Sequence, residues 1–235
     1  MTLEAVELET APNPTVSIIW MHGLGADGND FVPIVRELDL SGLPGIRFVF
    51  PHAPEIPVTV NGFREMPAWY DVVVTEFGRE EDEAGLRASQ VSINELIERE
   101  KARGIAANKI LIAGFSQGCA MTFQVGLRYP ERLGGLLCLS GYVPIDSTVE
   151  AEASAANKDI PIYYGHGRGD QVIPITRAQR SLSLLQALGY DVEWHEYNMP
   201  HSVCGPQLDD ISNFLKRVLK SVSYTHLTLP TTPYV

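Results

Sequence analysis

Six short runs rich in β-branched, aromatic and leucine residues, at 16–20, 46–50, 109–113, 135–140, 160–164 and 191–197, recur through the chain. Several are apolar at consecutive positions, the pattern of strands covered on both faces. Helical stripes lie between and after them. Leu86, Ile93, Leu96 and Ile97 share a face before Gly104; Ala178, Leu182 and Leu185 share another before Gly189. Leu208, Ile211, Leu215, Val218 and Leu219 follow at spacings of three and four, the apolar stripe of a helix that buries one side. Strands alternating with helices predict an α/β fold: a mostly parallel central sheet with right-handed crossovers and helices on both faces.

One strand-to-helix junction is unusual. The run ending at Ala113 passes straight into Gly114-Phe115-Ser116-Gln117-Gly118, a G-x-S-x-G pentapeptide. A strand that turns sharply into a helix presents such a serine on a strained corner, and the flanking glycines let the backbones approach. Alone the pentapeptide is moderately specific, so it must be weighed with the partners a serine nucleophile needs.

Those partners are an imidazole within hydrogen-bond reach and a carboxylate that orients it. Where a serine follows a strand of a parallel sheet in this way, acid and then histidine come later, each on a loop after a strand. Asp170 follows the run at 160–164 in Gly165-His166-Gly167-Arg168-Gly169-Asp170, and His201 follows the run at 191–197 in Asn198-Met199-Pro200-His201. Taken singly, each has an ordinary reading: Ser116 as a helix cap, Asp170 as a turn former, His201 as a surface loop residue. Their order and placement together favour the catalytic one. Among the other histidines, His195 lies within a strand run, His226 lies near the end of the chain, His52 shapes a proline-bounded loop, and His166 precedes the acid. Oxyanion donors are expected from the backbone N–H of Gln117 and from Leu24, in the early loop His22-Gly23-Leu24-Gly25.

The same loop reads as G-x-G-x-x-G through Gly23, Gly25 and Gly28. A dinucleotide site would need a carboxylate at the end of the second strand, where Phe50-Pro51-His52 stands instead. No G-K-[ST] or H-E-x-x-H sequence is present, so neither a P-loop nor that metal motif is indicated. Cys119, three residues past Ser116, falls inside the following helix and reads as a buried small side chain. The odd trio Cys119, Cys138 and Cys204 suggests free thiols rather than a disulfide framework. Trp69 and Tyr70, in a proline-rich stretch, are open to two readings, core or acyl pocket.

The 235 residues suit one domain, and a formal charge of −11 argues against a nucleic-acid partner. No run approaches the roughly 18 apolar residues of a spanning helix, and the acidic start is unlike a signal peptide. A cytoplasmic protein without stable membrane insertion is therefore expected. Residues 221–235 contain no Asp, Glu, Lys or Arg and show no sustained period. The expected domain is 1–220, with 221–235 a tail outside the core, read as a cloning extension ahead of a partner-binding segment.

Assembled, these segments resemble the carboxylesterase and acyl-protein thioesterase family of small α/β-hydrolases, especially its bacterial carboxylesterases. The resemblance rests on His22-Gly23-Leu24-Gly25-Ala26-Asp27-Gly28, Pro51-His52-Ala53-Pro54, Met66-Pro67-Ala68-Trp69-Tyr70-Asp71, the pentapeptide, Gly165-His166-Gly167 with Asp170, and Met199-Pro200-His201-Ser202-Val203-Cys204. It covers about residues 15 to 218. It implies an α/β-hydrolase fold without a separate lid domain, a triad of Ser116, Asp170 and His201, and oxyanion donors at Leu24 and Gln117. It also implies a shallow apolar groove for short or medium acyl chains, with Trp69, Met66 and Val172 as substrate-side candidates. Cys119 departs from the glycine expected after the pentapeptide, which puts close helix packing there in doubt. The expected activity is a serine carboxylesterase acting on small acyl esters through an acyl-enzyme, with no cofactor or metal, as a monomer or homodimer. The alternatives are a thioesterase or lysophospholipase acting on S-acylated proteins or lipids and, from another class, a hydrolase-shaped binding module without chemistry.

Overall fold

The computed structural model describes residues 3–75 and 78–221. In chain order the elements are β1 (Ala5–Glu9), β2 (Val16–Met21), the short α1 (Ile34–Glu37), β3 (Ile46–Pro51), β4 (Glu55–Val58), β5 (Arg64–Pro67), β6 (Val72–Thr75), β7 (Gly78–Glu81) and α2 (Glu83–Ala102). They continue with β8 (Ile110–Phe115), α3 (Gln117–Gly126), β9 (Gly135–Leu139), the short α4 (Val149–Glu152), β10 (Ile162–Gly167), α5 (Ile175–Ala187), β11 (Val192–Tyr197) and α6 (Gly205–Ser221).

Seven strands form one sheet in the order β1-β3-β2-β8-β9-β10-β11. Only the β1–β3 pair is antiparallel. Consecutive side chains of β2 go to opposite faces: Ile18 and Trp20 enter one core with Phe48, Phe50 and the α6 residues Ile211, Phe214 and Leu215. Ile19 and Met21 enter the other, with Leu86, Ile93 and Leu96 of α2, Phe123 of α3 and Leu185 of α5. Both faces are covered, which explains why β2 is buried at every position.

The expected helices end where glycine allows. Gly104 and Gly189 have φ of 94° and 81°, a left-handed turn that glycine adopts without strain. Strand β10 differs from expectation: it starts at Ile162 and continues through Gly165-His166-Gly167, read from sequence as loop. A Cβ on Gly167 would stand 2.4 Å from the Met199 carbonyl oxygen. Glycine is thus required there because the chain carrying His201 crosses against the end of the strand.

Sequence periodicity did not identify β1, β4–β7, α1 or α4. The hairpins β4–β5 and β6–β7 lie between β3 and α2, beside the carboxyl edge of the main sheet, and no separate lid domain is inserted among the described residues. Of the expected 221–235 tail, Ser221 is the last residue of α6; the remainder lies outside the described residues.

Candidate active site

Parallel pairing places the carboxyl ends of β2, β8, β10 and β11 along one edge, and each is followed by a residue of interest. Ser116 follows β8 directly. Its φ of 56° and ψ of −116° lie in a region that a non-glycine residue avoids, at a cost of about 1–3 kcal/mol. Packing enforces the corner: a Cβ on Gly114 would come 2.1 Å from the Gly118 carbonyl oxygen, and one on Gly118 2.2 Å from that of Met21. The Ser116 N–H donates to the Leu139 carbonyl at 2.9 Å, tying the corner to β9.

Ser116 Oγ lies 2.9 Å from His201 Nε2, and His201 Nδ1 lies 2.6 Å from Asp170 Oδ2. A carboxylate only accepts, so Nδ1–H donates to it and Nε2 is left to accept the serine proton. Asp170 Oδ1 accepts from the backbone N–H of Val172 and Ile173, both at 2.9 Å. Its carboxylate is thereby fixed on the side away from the histidine. The His201 ring also packs on Phe115, with centroids 4.7 Å apart. The three residues chosen from sequence come together through hydrogen bonds; His166 makes none to Ser116 or His201, though its Nε2 stands 3.4 Å from Asp170 Oδ2. His166 is fully buried and its Nε2 donates to the Ile173 carbonyl at 2.8 Å, holding the acid loop from beneath. Burial lowers its proton affinity.

Register fixes the neighbouring loop. Met21 pairs with Gly114, so His22-Gly23-Leu24 emerges beside the serine corner, and a Cβ on Gly23 would meet Ser116 Cβ at 3.3 Å. His22 anchors this loop: its Nε2 accepts from Ala53 N–H at 3.1 Å, which leaves Nδ1–H to donate to the Gly23 carbonyl at 2.7 Å. Burial favours the neutral ring that this pattern needs. The Gly25 N–H donates to the Pro67 carbonyl at 2.8 Å. Gly28 packs against the end of β3, where a Cβ would sit 2.4 Å from the Phe50 carbonyl oxygen. Close packing therefore accounts for the third glycine of the nucleotide-like pattern. Among the described residues no group of three or more His, Cys, Asp or Glu side chains could hold a metal ion.

A cavity of about 110 Å³ opens beside Ser116, with Leu24, Gln117, Val60, Tyr70, Val172 and Ile173 in its walls. Val172 and Val60 are 50% and 45% exposed. Of the substrate-side candidates, Val172 lines this cavity, whereas Trp69 is 1% exposed and packed in the core. Trp69 instead holds the site from behind. Its Nε1–H donates to the His22 carbonyl at 2.9 Å, and its backbone N–H donates to Gln117 Oε1 at 3.0 Å. Met66, in β5, presents its sulfur towards Gly25, where a Cβ would meet it at 3.7 Å. Cys119 is fully buried, and its room is made by Gly141, whose added Cβ would lie 2.4 Å from Cys119 Cβ. The cysteine thus packs closely without displacing the helix.

Sequence reasoning did not find three further residues of the cavity wall, Tyr142, Glu81 and Arg177. Tyr70 and Tyr142 share a hydrogen bond between hydroxyls at 3.0 Å, and burial pushes the Tyr70 phenol well up, so it stays neutral. A serine aligned with a base, an orienting carboxylate and an adjoining apolar cavity can carry out acyl transfer.

Comparison with known proteins agrees with this chemistry. Residues 2–219 match the phospholipase/carboxylesterase family. An acyl-protein thioesterase 1 of Neurospora crassa is 37% identical over 219 residues, covering 89% of this chain and 89% of that protein. The crystal structure of Arabidopsis thaliana SOBER1 superposes with a TM-score of 0.81 at 33% identity, covering 87% of this chain and 99% of that one. That of Zea mays acyl-protein thioesterase 2 gives 0.79 at 28%, covering 92% and 100%. The protein belongs to the phospholipase/carboxylesterase family of α/β-hydrolases and is a serine hydrolase.

Proposed function

We propose that this protein is an acyl thioesterase that deacylates S-acylated proteins, with accompanying activity on small carboxylic esters. The sequence alone favoured the carboxylesterase; the similarity to proteins named acyl-protein thioesterase reverses that order. The observation that carries the mechanism is the continuous hydrogen-bonded path from Ser116 through His201 to Asp170, opening on an apolar cavity. Ser116 Oγ attacks the acyl carbonyl while His201 Nε2 takes its proton. Asp170 holds the ring in the required tautomer and stabilises the imidazolium. Backbone N–H groups of Leu24 and Gln117 are assigned to the tetrahedral oxyanion. Collapse expels the thiol or alcohol, protonated by His201, and leaves the acyl-enzyme. Water, deprotonated by the same imidazole, attacks the acyl carbonyl and releases the acid and the free serine.

Fluorophosphonate labelling, combined with turnover of an S-acyl peptide and a p-nitrophenyl ester of the same acyl group, tests this reading. Wild type should label and favour the S-acyl peptide in kcat/KM. Ser116→Ala should lose the label, and both Ser116→Ala and His201→Ala should lose kcat by about a thousandfold or more. Labelling that persists in Ser116→Ala overturns the mechanism. An ester preference returns the carboxylesterase to first place, and no turnover of either substrate returns the binding module.

A further inference from the structure

The cavity beside Ser116 has a charged border. A second cavity of about 240 Å³ lies behind it, with Val143, Asp146, Arg180 and Ser181 in its walls. Glu81 and Arg177 line both cavities. Arg177 Nη2 stands 3.2 Å from Glu81 Oε1, so one ion pair borders both cavities where they adjoin.

The pair is braced from three sides. Glu81 lies at the end of β7 and its Oε2 accepts from the Ile145 N–H at 2.7 Å. Arg177 projects from the first turns of α5, and its guanidinium lies 3.4 Å from the centre of the Tyr142 ring, a cation–π contact. A hairpin, a helix and the loop after β9 thus meet at one point. The two sides differ in character. Towards Ser116 the walls are Leu24, Val60, Val172 and Ile173. Beyond the pair stand Arg180 and Asp146, whose own ion pair spans 3.3 Å. Asp71 and Glu80 also border the cavity, but an acyl chain growing from the serine has Leu24, Val60, Val172 and Ile173 to lie against before it reaches the pair. At the pair it would have to strip water from the Glu81 carboxylate and the Arg177 guanidinium and offer them no partner.

We propose that the Arg177–Glu81 pair is the end wall of the acyl site and sets the longest acyl chain the enzyme accepts. The inference rests on the acyl-transfer reading of Ser116. Removing the wall joins the two cavities and admits longer chains; restoring it with exchanged charges restores the limit.

The test reads the ratio of kcat/KM for palmitoyl to butyryl p-nitrophenyl esters in the full chain. Arg177→Ala should raise that ratio about tenfold or more, the scale on which a pocket discriminates chain length. Arg177→Lys, which keeps a cation opposite Glu81, should leave the ratio near wild type. The exchange Arg177→Glu with Glu81→Arg should bring it back if Arg177→Ala folds poorly. Arg180→Ala, which acts only beyond the pair, should not move it. A ratio unchanged in Arg177→Ala, or raised equally by Arg180→Ala, overturns the end wall. Because Ser116→Ala abolishes turnover at every chain length under the proposed mechanism, a flat profile with Ser116-dependent activity defeats this inference alone.

Discussion

At the site, histidine chemistry is divided by burial. His201 is partly exposed with its two nitrogens committed to Asp170 and Ser116, whereas His22 and His166 lie in the interior as neutral braces. Protonating His22 would turn Nε2 into a donor facing the Ala53 N–H, and the Leu24 loop would lose its anchor. Both buried rings have folded proton affinities below the ordinary 6.5. The unfolded chain therefore binds more protons than the native one just below that pH. Their stabilising effect is fully present above 6.5 and is lost as pH falls from there towards the folded values. Each contributes at most about 1.4 kcal/mol per pH unit in that window. Melting temperature followed down from neutral pH should fall, and His22→Asn should flatten the slope; an unchanged slope would show that His22 is not titrating. The same variant should lower kcat by about tenfold to a hundredfold, because it frees the loop assigned to the oxyanion. Ser116, Asp170 and His201 were legible in the sequence because each stands just after an apolar strand run in a motif with a chemical reason. Arg177, Glu81 and Tyr142 were not: charges on a helix and a hairpin look like a solvated surface until the fold brings them together.

Among the elements, the corner between β8 and α3 shows how packing and strain maintain one another. The corner depends on Gly114, Gly118 and Gly141, at each of which a Cβ would come within 2.4 Å of a neighbouring atom. At Gly141 that neighbour is Cys119 Cβ, so a departure from the expected sequence pattern has its complement on the next strand's loop. Gly141→Ala should destabilise by about 1–3 kcal/mol through overpacking, measured by urea denaturation. Adding Cys119→Gly should recover part of the loss, though the contact with the Ser116 carbonyl remains. Independent, additive losses would break the link. The elements that periodicity missed share a physical cause. In β1 Ala5, Val6 and Leu8 are only partly buried against the cores, while Glu7 and Glu9 form ion pairs; an edge strand offers no apolar run. The β4–β5 hairpin carries prolines and half-exposed residues, so its pairing depends on the sheet beside it.

Across the whole molecule, alternation in the sequence was enough to predict a mostly parallel sheet with helices on both faces, because strands buried on two sides must be apolar throughout. What it could not supply was the ion-pair network that reinforces the β1–β3 ladder at the far edge. Glu100 of α2 is fully buried, with Oε2 3.0 Å from Arg47 of β3 and Oε1 2.9 Å from Arg103. Glu9 of β1 pairs with Arg47 at 2.9 Å, and Glu7 with Arg99 and Arg103 at 2.8 and 2.9 Å. Helix, inner strand and edge strand are thus joined through one carboxylate that stands on the buried stripe of α2, four residues past Leu96 and three past Ile97. Removing one member of a buried ion pair leaves its partner's charge uncompensated, at about 3–5 kcal/mol, whereas an exposed pair contributes about 0–1 kcal/mol. Glu100→Ala should therefore lower stability by several times as much as Glu9→Ala. Amide hydrogen exchange should show the loss first in β1, which that network holds against β3. The candidate active site lies at the carboxyl ends of the sheet's other strands, so esterase activity at low temperature should survive Glu100→Ala. Equal losses from the two variants, or activity lost before β1 loosens, would mean that the buried carboxylate does not organise this edge.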